Sequence, residues 1–263
     1  MVGKFAKGIF TGLGAPKRGM SFLGEHPKLI SWCVIPVIIN YLIFGTLAYL
    51  AGKFIPELSD MILPEATNWF WDVVRFLLQG VGYLIVGVAA YFLFVPVAGL
   101  IASPFNDMLA EQVGILKTGE VPEGAGWKNF ASDALFSIGV EAKKLLLLVI
   151  LAVGTFLVGL IPVVQVISPV VGVLVGIFYV ALEYIDFAMA HRKLPFSDRV
   201  AMLAADQPGM ALGFGLPPYV VALVPVVNVL VIPLLAPVMV VAGALLYYEH
   251  LAPGHEAVAE VAN

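Results

Sequence analysis

Two long stretches without a charged residue, Leu145–Leu182 and Gln207–Tyr248, dominate the pattern of polar and apolar positions along this chain. Each is about twice the roughly 20 residues that one spanning helix needs. Each is interrupted at its centre by nearly the same octapeptide, Gly-Leu-Ile-Pro-Val-Val-Gln-Val at 159–166 and Ala-Leu-Val-Pro-Val-Val-Asn-Val at 222–229. A proline removes a backbone donor and breaks the helical ladder, and an amide side chain satisfies the carbonyls set free or faces a polar path. The pattern predicts two helical hairpins that fold back inside a membrane, 145–182 and 207–248. The halves of the first, Leu145–Ile161 and Pro169–Leu182, are short, which favours partial penetration of the bilayer. The second half of each hairpin starts at its apex, so the positive end of that helix points into the membrane, next to Gln165 or Asn228.

Two further apolar runs, Leu29–Gly52 and Phe76–Asn106, predict two long transmembrane helices within 29–106. Pro36 and Asn40 lie in the first, where a kink with a locally satisfied carbonyl is expected. Pro96 and Pro104 punctuate the end of the second, and Asn106-Asp107 reads as the cap of a new helix. The link Lys53–Arg75 is polar and carries Trp69 and Trp71, residues suited to the membrane interface. Before these runs, Val2, Phe5, Ala6, Ile9, Phe10 and Leu13 recur at helical spacing opposite Lys4 and Lys7. This predicts an amphipathic helix within 1–24, lying on the membrane and ended by Gly12, Gly14 and Pro16. The pattern therefore gives one membrane domain over 1–250 and a disordered tail over 251–263.

Composition agrees. The chain is 61% hydrophobic and 12% charged, with mean hydropathy +0.99, whereas a soluble domain is about a quarter charged. The fold class is an all-α integral membrane protein. The N-terminus lacks the compact apolar core of a cleavable signal peptide. Lys4, Lys7, Lys17, Arg18 and Lys28 precede the first span, and the link after it holds only Lys53 and Arg75 among four acidic residues. The positive-inside rule then puts both termini and the large charged loops in the cytoplasm, with 53–75 outside.

Candidate chemistry is sparse. His26, Lys28 and Arg18 surround the start of the first span, where free peptide N–H groups of Leu29, Ile30 and Ser31 and the helix dipole suit an oxyanion; anchoring at lipid headgroups is the bland alternative. Glu183 and Asp186 leave a membrane helix just before His191, Arg192 and Lys193, which makes a gate or a loop-tying ion cluster. None of the four histidines has metal-ligand spacing, and no nucleophile elbow, phosphate loop or dinucleotide fingerprint occurs. Neither an enzyme, a metal nor a cofactor is indicated, and no basic stripe points to nucleic acid. The single cysteine, Cys33, reads as a small buried apolar residue.

Four stretches resemble the CysZ sulfate transporter family and the related etoposide-induced-protein domain. They are Pro27-Lys28-Leu29 followed by Pro36 and Asn40; Ala102-Ser103-Pro104-Phe105-Asn106 followed by Leu109-Ala110-Glu111; Tyr184-Ile185-Asp186 followed by Phe196; and Gly213-Phe214-Gly215 followed by Pro225, Asn228 and Pro233. The likeness is collinear over about residues 20–250. It implies two long transmembrane helices, two half-penetrating hairpins, homo-oligomers in the bacterial inner membrane and uptake of sulfate for cysteine synthesis. It also implies roles in the pathway for Asn106 and Glu111. One departure stands out. Where the family carries two adjacent arginines that hold sulfate, this chain has Ile30 and Ser31, and Lys28 replaces the preceding glycine. Two functions follow: a permease or channel for sulfate or a related oxyanion, or a membrane-shaping or assembly protein that keeps the fold without the anion site.

Overall fold

The computed structural model describes residues 2–64, 68–120, 130–161, 165–191 and 194–252. Arg192 and the tail 253–263 lie outside the described residues. Eight α-helices account for most of what is described: α1 (Val2–Glu25), α2 (Ile30–Ile62), α3 (Trp69–Thr118), α4 (Phe130–Gly159), α5 (Ser168–His191), α6 (Phe196–Ala201), α7 (Pro208–Ala222) and α8 (Pro225–His250). A single 3₁₀ turn, Pro27–Leu29, leads into α2, and a π-helical turn, Met202–Asp206, joins α6 to the segment before α7. Among the described residues, five helices are long and apolar enough to cross a membrane: Pro27–Ile62, Trp69–Ala90, Ile138–Gly159, Ser168–Ala190 and Leu230–His250.

Proline and glycine end fewer helices than their positions predict. α1 runs through Gly12, Gly14 and Pro16 to Glu25. α3 is one helix of 50 residues that passes through Pro96 and Pro104, so Asp107 lies inside it and caps nothing. In an apolar medium a broken helix exposes further backbone groups, so continuing past a proline is the lesser cost. α3 ends instead at Gly119, whose φ of 72° is the left-handed conformation a glycine cap supplies and whose amide donates to the Ile115 carbonyl at 2.8 Å. The link between α2 and α3 is correspondingly short, because residues 53–62 remain helical.

The first hairpin is α4 and α5, which pack on each other. Ser168 Oγ donates to the Thr155 carbonyl at 3.0 Å, so α5 folds back on the end of α4. Both helices, of 30 and 24 residues, are longer than the uncharged run alone predicts, and each has the length of a complete span. The second hairpin is unequal. α7 has 15 residues, or roughly 22 Å of helix, short of a ~30 Å hydrocarbon core, whereas α8 has 26.

α1 buries Leu23 in the core but turns Phe10 away from it. Phe10 is 74% exposed, while the stripe Gly8, Gly12, Ala15 and Gly19 faces α7 and α8. A Cβ on Gly12 would overlap the Met210 carbonyl and the Phe214 amide; one on Gly213 would overlap the Ile9 carbonyl. Small residues let two helices approach backbone to backbone, the usual mode of helix association in membranes. The amphipathic reading holds for the sequence, but the packing face is the glycine face.

The core gathers where the C-terminal halves of α3, α5 and α8 meet α1 and the start of α7. Leu109, Val113, Ile185, Met189, Phe214, Met239 and Tyr247 are all buried there. The opposite half of the molecule exposes Leu42, Phe76, Leu84, Phe156 and Val170. Such an apolar flank is untenable in water and ordinary against lipid.

Candidate functional site

Asn40 stands on α2, one turn after Pro36. Its Nδ2 donates to the Pro36 carbonyl at 2.9 Å within an α2 that runs unbroken through Pro36. The residue is only 3% exposed, and its Oδ1 has no hydrogen-bond donor. Beside it lies a cavity of roughly 50 Å³ where four helices converge: α2 gives Pro36 and Asn40, α3 gives Asn106, α5 gives Glu183, and α8 gives Pro233 and Pro237. Two candidates read from sequence in distant segments, Asn106 and Glu183, thus share one space with Asn40.

One turn beyond Glu183, Asp186 anchors a buried ion cluster. Arg199 Nη1 donates to Asp186 Oδ1 at 2.7 Å, and Lys144 Nζ sits 3.8 Å from Oδ2. Arg199 Nε also donates to the Leu194 carbonyl at 2.9 Å, and Lys144 Nζ to the Glu183 carbonyl at 3.4 Å. The ammonium lies 4.5 Å from the centre of the Phe187 ring, a favourable cation–π distance. Lys144 and Asp186 are each 1% exposed. Buried charges persist only when paired in this way. Among the described residues the partners of Asp186 are Arg199 on α6 and Lys144, midway along α4; Arg192 and Lys193, which the sequence places beside it, lie outside the described residues. A basic residue immediately before an uncharged run was the available signal for Lys144.

A second ion cluster ties three helix ends together. Glu249 on α8 accepts from Arg18 on α1 at 2.7 Å and from Lys117 on α3 at 2.8 Å. Arg18 also donates to the Thr11 carbonyl at 3.3 Å. Arg18 therefore faces α8 and not the start of α2. Glu111 lies between Asn106 and this cluster along α3, partly buried.

At the start of α2, the residues proposed from sequence for an anion sit on one turn. Leu29 is buried and its amide donates to the His26 carbonyl at 2.9 Å, and the Ile30 amide donates to the Pro27 carbonyl, so neither is the free donor expected from the sequence, because the 3₁₀ turn engages both. Ser31 Oγ donates to the Lys28 carbonyl at 2.9 Å, while Lys28, Ile30 and Ser31 are exposed. The His26 ring stacks on Phe22 at 4.2 Å, with Nδ1 3.0 Å from the Phe22 carbonyl. Pro27 stands at the first position of this turn, with no donor of its own to leave unpaired.

The two apical amides differ. Gln165 is exposed, and its backbone amide donates to the Ile161 carbonyl at 2.9 Å. Asn228 is 3% exposed with Oδ1 unpartnered, and its amide donates to the Val224 carbonyl at 2.7 Å. Near it, Tyr41 Oη donates to the Leu230 carbonyl at 2.6 Å, joining α2 to α8.

Long apolar helices that run through their prolines, and polar side chains gathered at their crossings, define a multi-pass helical membrane protein. The family model described as Sulfate transporter CysZ/Etoposide-induced protein 2.4 matches residues 15–233, and the chain belongs to that family. Among its relatives, the protein named sulfate transporter CysZ from Pseudomonas fluorescens (strain Pf0-1) is 30% identical over 237 residues, covering 88% of this chain and 92% of the relative. Its namesake in Vibrio parahaemolyticus serotype O3:K6 is 31% identical over 227 residues, covering 85% and 90%. The one from Pseudomonas aeruginosa (strain LESB58) is 28% identical over 238 residues, covering 88% and 94%.

Proposed function

We propose that this protein is an inner-membrane permease or channel for sulfate or a closely related oxyanion, feeding sulfate assimilation and cysteine synthesis. The observation that carries this reading is membership of the family over residues 15–233, with relatives named as sulfate transporters matched over about nine-tenths of their length. The polar contacts of the spanning helices support it, since polar groups inside a membrane domain are expensive and mark a path for a polar solute. The oxyanion enters at the exposed turn 27–31, where Lys28 supplies the charge. Sulfate is the substrate, the protein acts as a homo-oligomer, and no catalysis by the chain is involved. Both termini face the cytoplasm, following the basic residues that precede the first span.

Reconstitution tests the reading directly. Purified protein in liposomes is expected to take up radiolabelled sulfate well above protein-free vesicles, with unlabelled sulfate competing. No flux above empty vesicles for sulfate, sulfite or any related oxyanion rejects it.

A second reading, a membrane-shaping or assembly protein that keeps the fold without the anion site, draws on Ile30 and Ser31. Ile30 offers no polar atom beyond its backbone, and the Ser31 hydroxyl is engaged with the Lys28 carbonyl. Vesicles that tubulate on adding protein, and take up no oxyanion, support that reading.

A further inference from the structure

The start of this chain is basic although the whole is acidic. Five basic residues and one acidic residue, Glu25, fall within the first 28, in a chain of net charge −4. Four of the five lie on α1, and the packing of that helix sorts them. The stripe of Gly8, Gly12, Ala15 and Gly19 is taken up by α7 and α8. At about 100° per residue, Phe5, Ile9, Leu13 and Met20 fall to one side of that stripe, and Lys4, Lys7 and Arg18 to the other. Phe10 and Lys17 lie at the back, where the two flanks meet. Arg18 is committed to Glu249. Lys4, Lys7 and Lys17 are exposed and form no ion pair among the described residues. On the apolar flank Met20 is 63% exposed, and Phe5 and Leu13 are exposed as well.

The two ends of α1 fix how it lies. Gly209, in the first turn of α7, is so close that a Cβ there would overlap the Phe5 carbonyl. Arg18 reaches Glu249 at the end of α8, and the 3₁₀ turn 27–29 then leads straight into α2. α1, about 36 Å of helix, therefore runs along the face where α7 begins, α8 ends and α2 begins. At that level an apolar flank beside a row of lysines meets the boundary between acyl chains and headgroups. The long stem of a lysine lets its ammonium reach the headgroups while its carbons stay with an apolar neighbour such as Phe10. A zwitterionic lipid offers these cations no net charge, whereas an anionic one does.

We propose that the outer surface of α1 recognises anionic phospholipid, with Phe5, Phe10, Leu13 and Met20 among the acyl chains and Lys4, Lys7 and Lys17 at the headgroup phosphates. The glycine contacts carry the effect inward. Gly12 and Gly213 leave no slack between α1 and α7, so a lipid that holds α1 to the leaflet holds the second hairpin as well. This recognition does not depend on what the protein transports.

The full-length protein, purified in detergent, is titrated with phosphatidylglycerol or with phosphatidylcholine of the same acyl chains, and its melting temperature is followed. Phosphatidylglycerol is expected to raise it by several degrees over phosphatidylcholine, and the difference is expected to shrink in high salt, which screens surface charge. Lys4→Gln, Lys7→Gln and Lys17→Gln combined should remove most of that difference while the melting temperature in phosphatidylcholine stays at the wild-type value. The same three positions changed to arginine should keep it. Should the triple glutamine variant fail to fold, Lys17→Gln alone and the salt titration of the wild type carry the test. Equal melting temperatures in the two lipids overturn the proposal, as does a phosphatidylglycerol effect that the triple glutamine variant keeps in full. A rise reproduced by inorganic phosphate or by an acidic peptide at equal ionic strength also overturns it, because the lysines then serve a soluble anion or a protein and not a leaflet.

Discussion

Asp186 and Arg199 form a buried ion pair, with Arg199 Nη1 2.7 Å from Asp186 Oδ1, and this pair clamps the short helix α6 to the end of α5. Lys144 approaches the second carboxylate oxygen from α4, so one acidic group organises three elements. Removing it places two cations side by side in a site with little water. Loss of one partner from a buried ionic cluster costs about 3–5 kcal/mol. Asp186→Asn is therefore expected to lower the melting temperature far more than Arg199→Gln, which leaves Lys144 as counter-charge. A melting curve for Asp186→Asn that overlays wild type would show that the pair does not hold α6.

The contact of α1 with α7 depends on absent side chains. Gly12→Ala drives a Cβ into the Met210 carbonyl and the Phe214 amide, neither of which is the loose end of a flexible side chain. A cost of about 1–3 kcal/mol is expected, as for overpacking. Gly14→Ala, only two residues on, meets nothing within 4 Å and is expected to be neutral or to gain about 0.5–1 kcal/mol of helix propensity. Thermal unfolding of the two variants side by side checks the contrast; equal effects would mean that α1 packs through a different face.

These two cases show what was legible in the sequence. Charge-free runs located the spans because a bilayer demands long apolar segments, and the Pro36–Asn40 spacing gave the local bond that the structure contains. The glycine face through which α1 packs was not legible, because apolar periodicity reports contact with anything that is not water. Phe5 and Phe10 satisfy it against lipid as well as against protein, whereas helices in a membrane associate through small residues such as Gly12. Proline was over-read for a related reason, since Pro96 and Pro104 sit where breaking α3 would expose more backbone than it relieves. The family likeness brought Asn106 forward and the charge pattern at the end of a membrane helix brought Glu183 forward. Their sharing of one cavity, and the pairing of Asp186 with residues 42 positions before and 13 after it, are tertiary facts that no local pattern encodes.

Glu249 offers a milder test of electrostatics. Its two oxygens pair with Arg18 and Lys117 in a region where the three side chains are 31%, 39% and 32% exposed. Exposed pairs contribute little and are screened by salt. Glu249→Gln is expected to cost about 1 kcal/mol at low ionic strength. The difference from wild type should shrink in high salt, as seen in melting temperatures measured at both extremes. A large loss that salt does not touch would mean that the cluster acts as a buried one.

The turn 27–31 makes the sharpest claim about the ligand. Lys28 is exposed at the start of α2, and Ser31 is held to the Lys28 carbonyl at 2.9 Å, so the lysine is the one side chain of this turn that brings a full charge. If sulfate is recognised here, Lys28→Ala removes a charge-assisted bond, which lowers affinity roughly 10–100-fold. Ile30→Arg and Ser31→Arg, introduced singly, should do the reverse. Both positions are exposed, so a guanidinium fits without displacing the core, and its planar fork matches two oxyanion oxygens where the ammonium of Lys28 offers a point charge. Calorimetric titration of sulfate, with phosphate and sulfite as comparisons, reads both directions in one series. Weaker binding in Lys28→Ala with tighter binding in either arginine variant locates the anion at this turn. Binding that ignores all three substitutions moves it elsewhere in the protein.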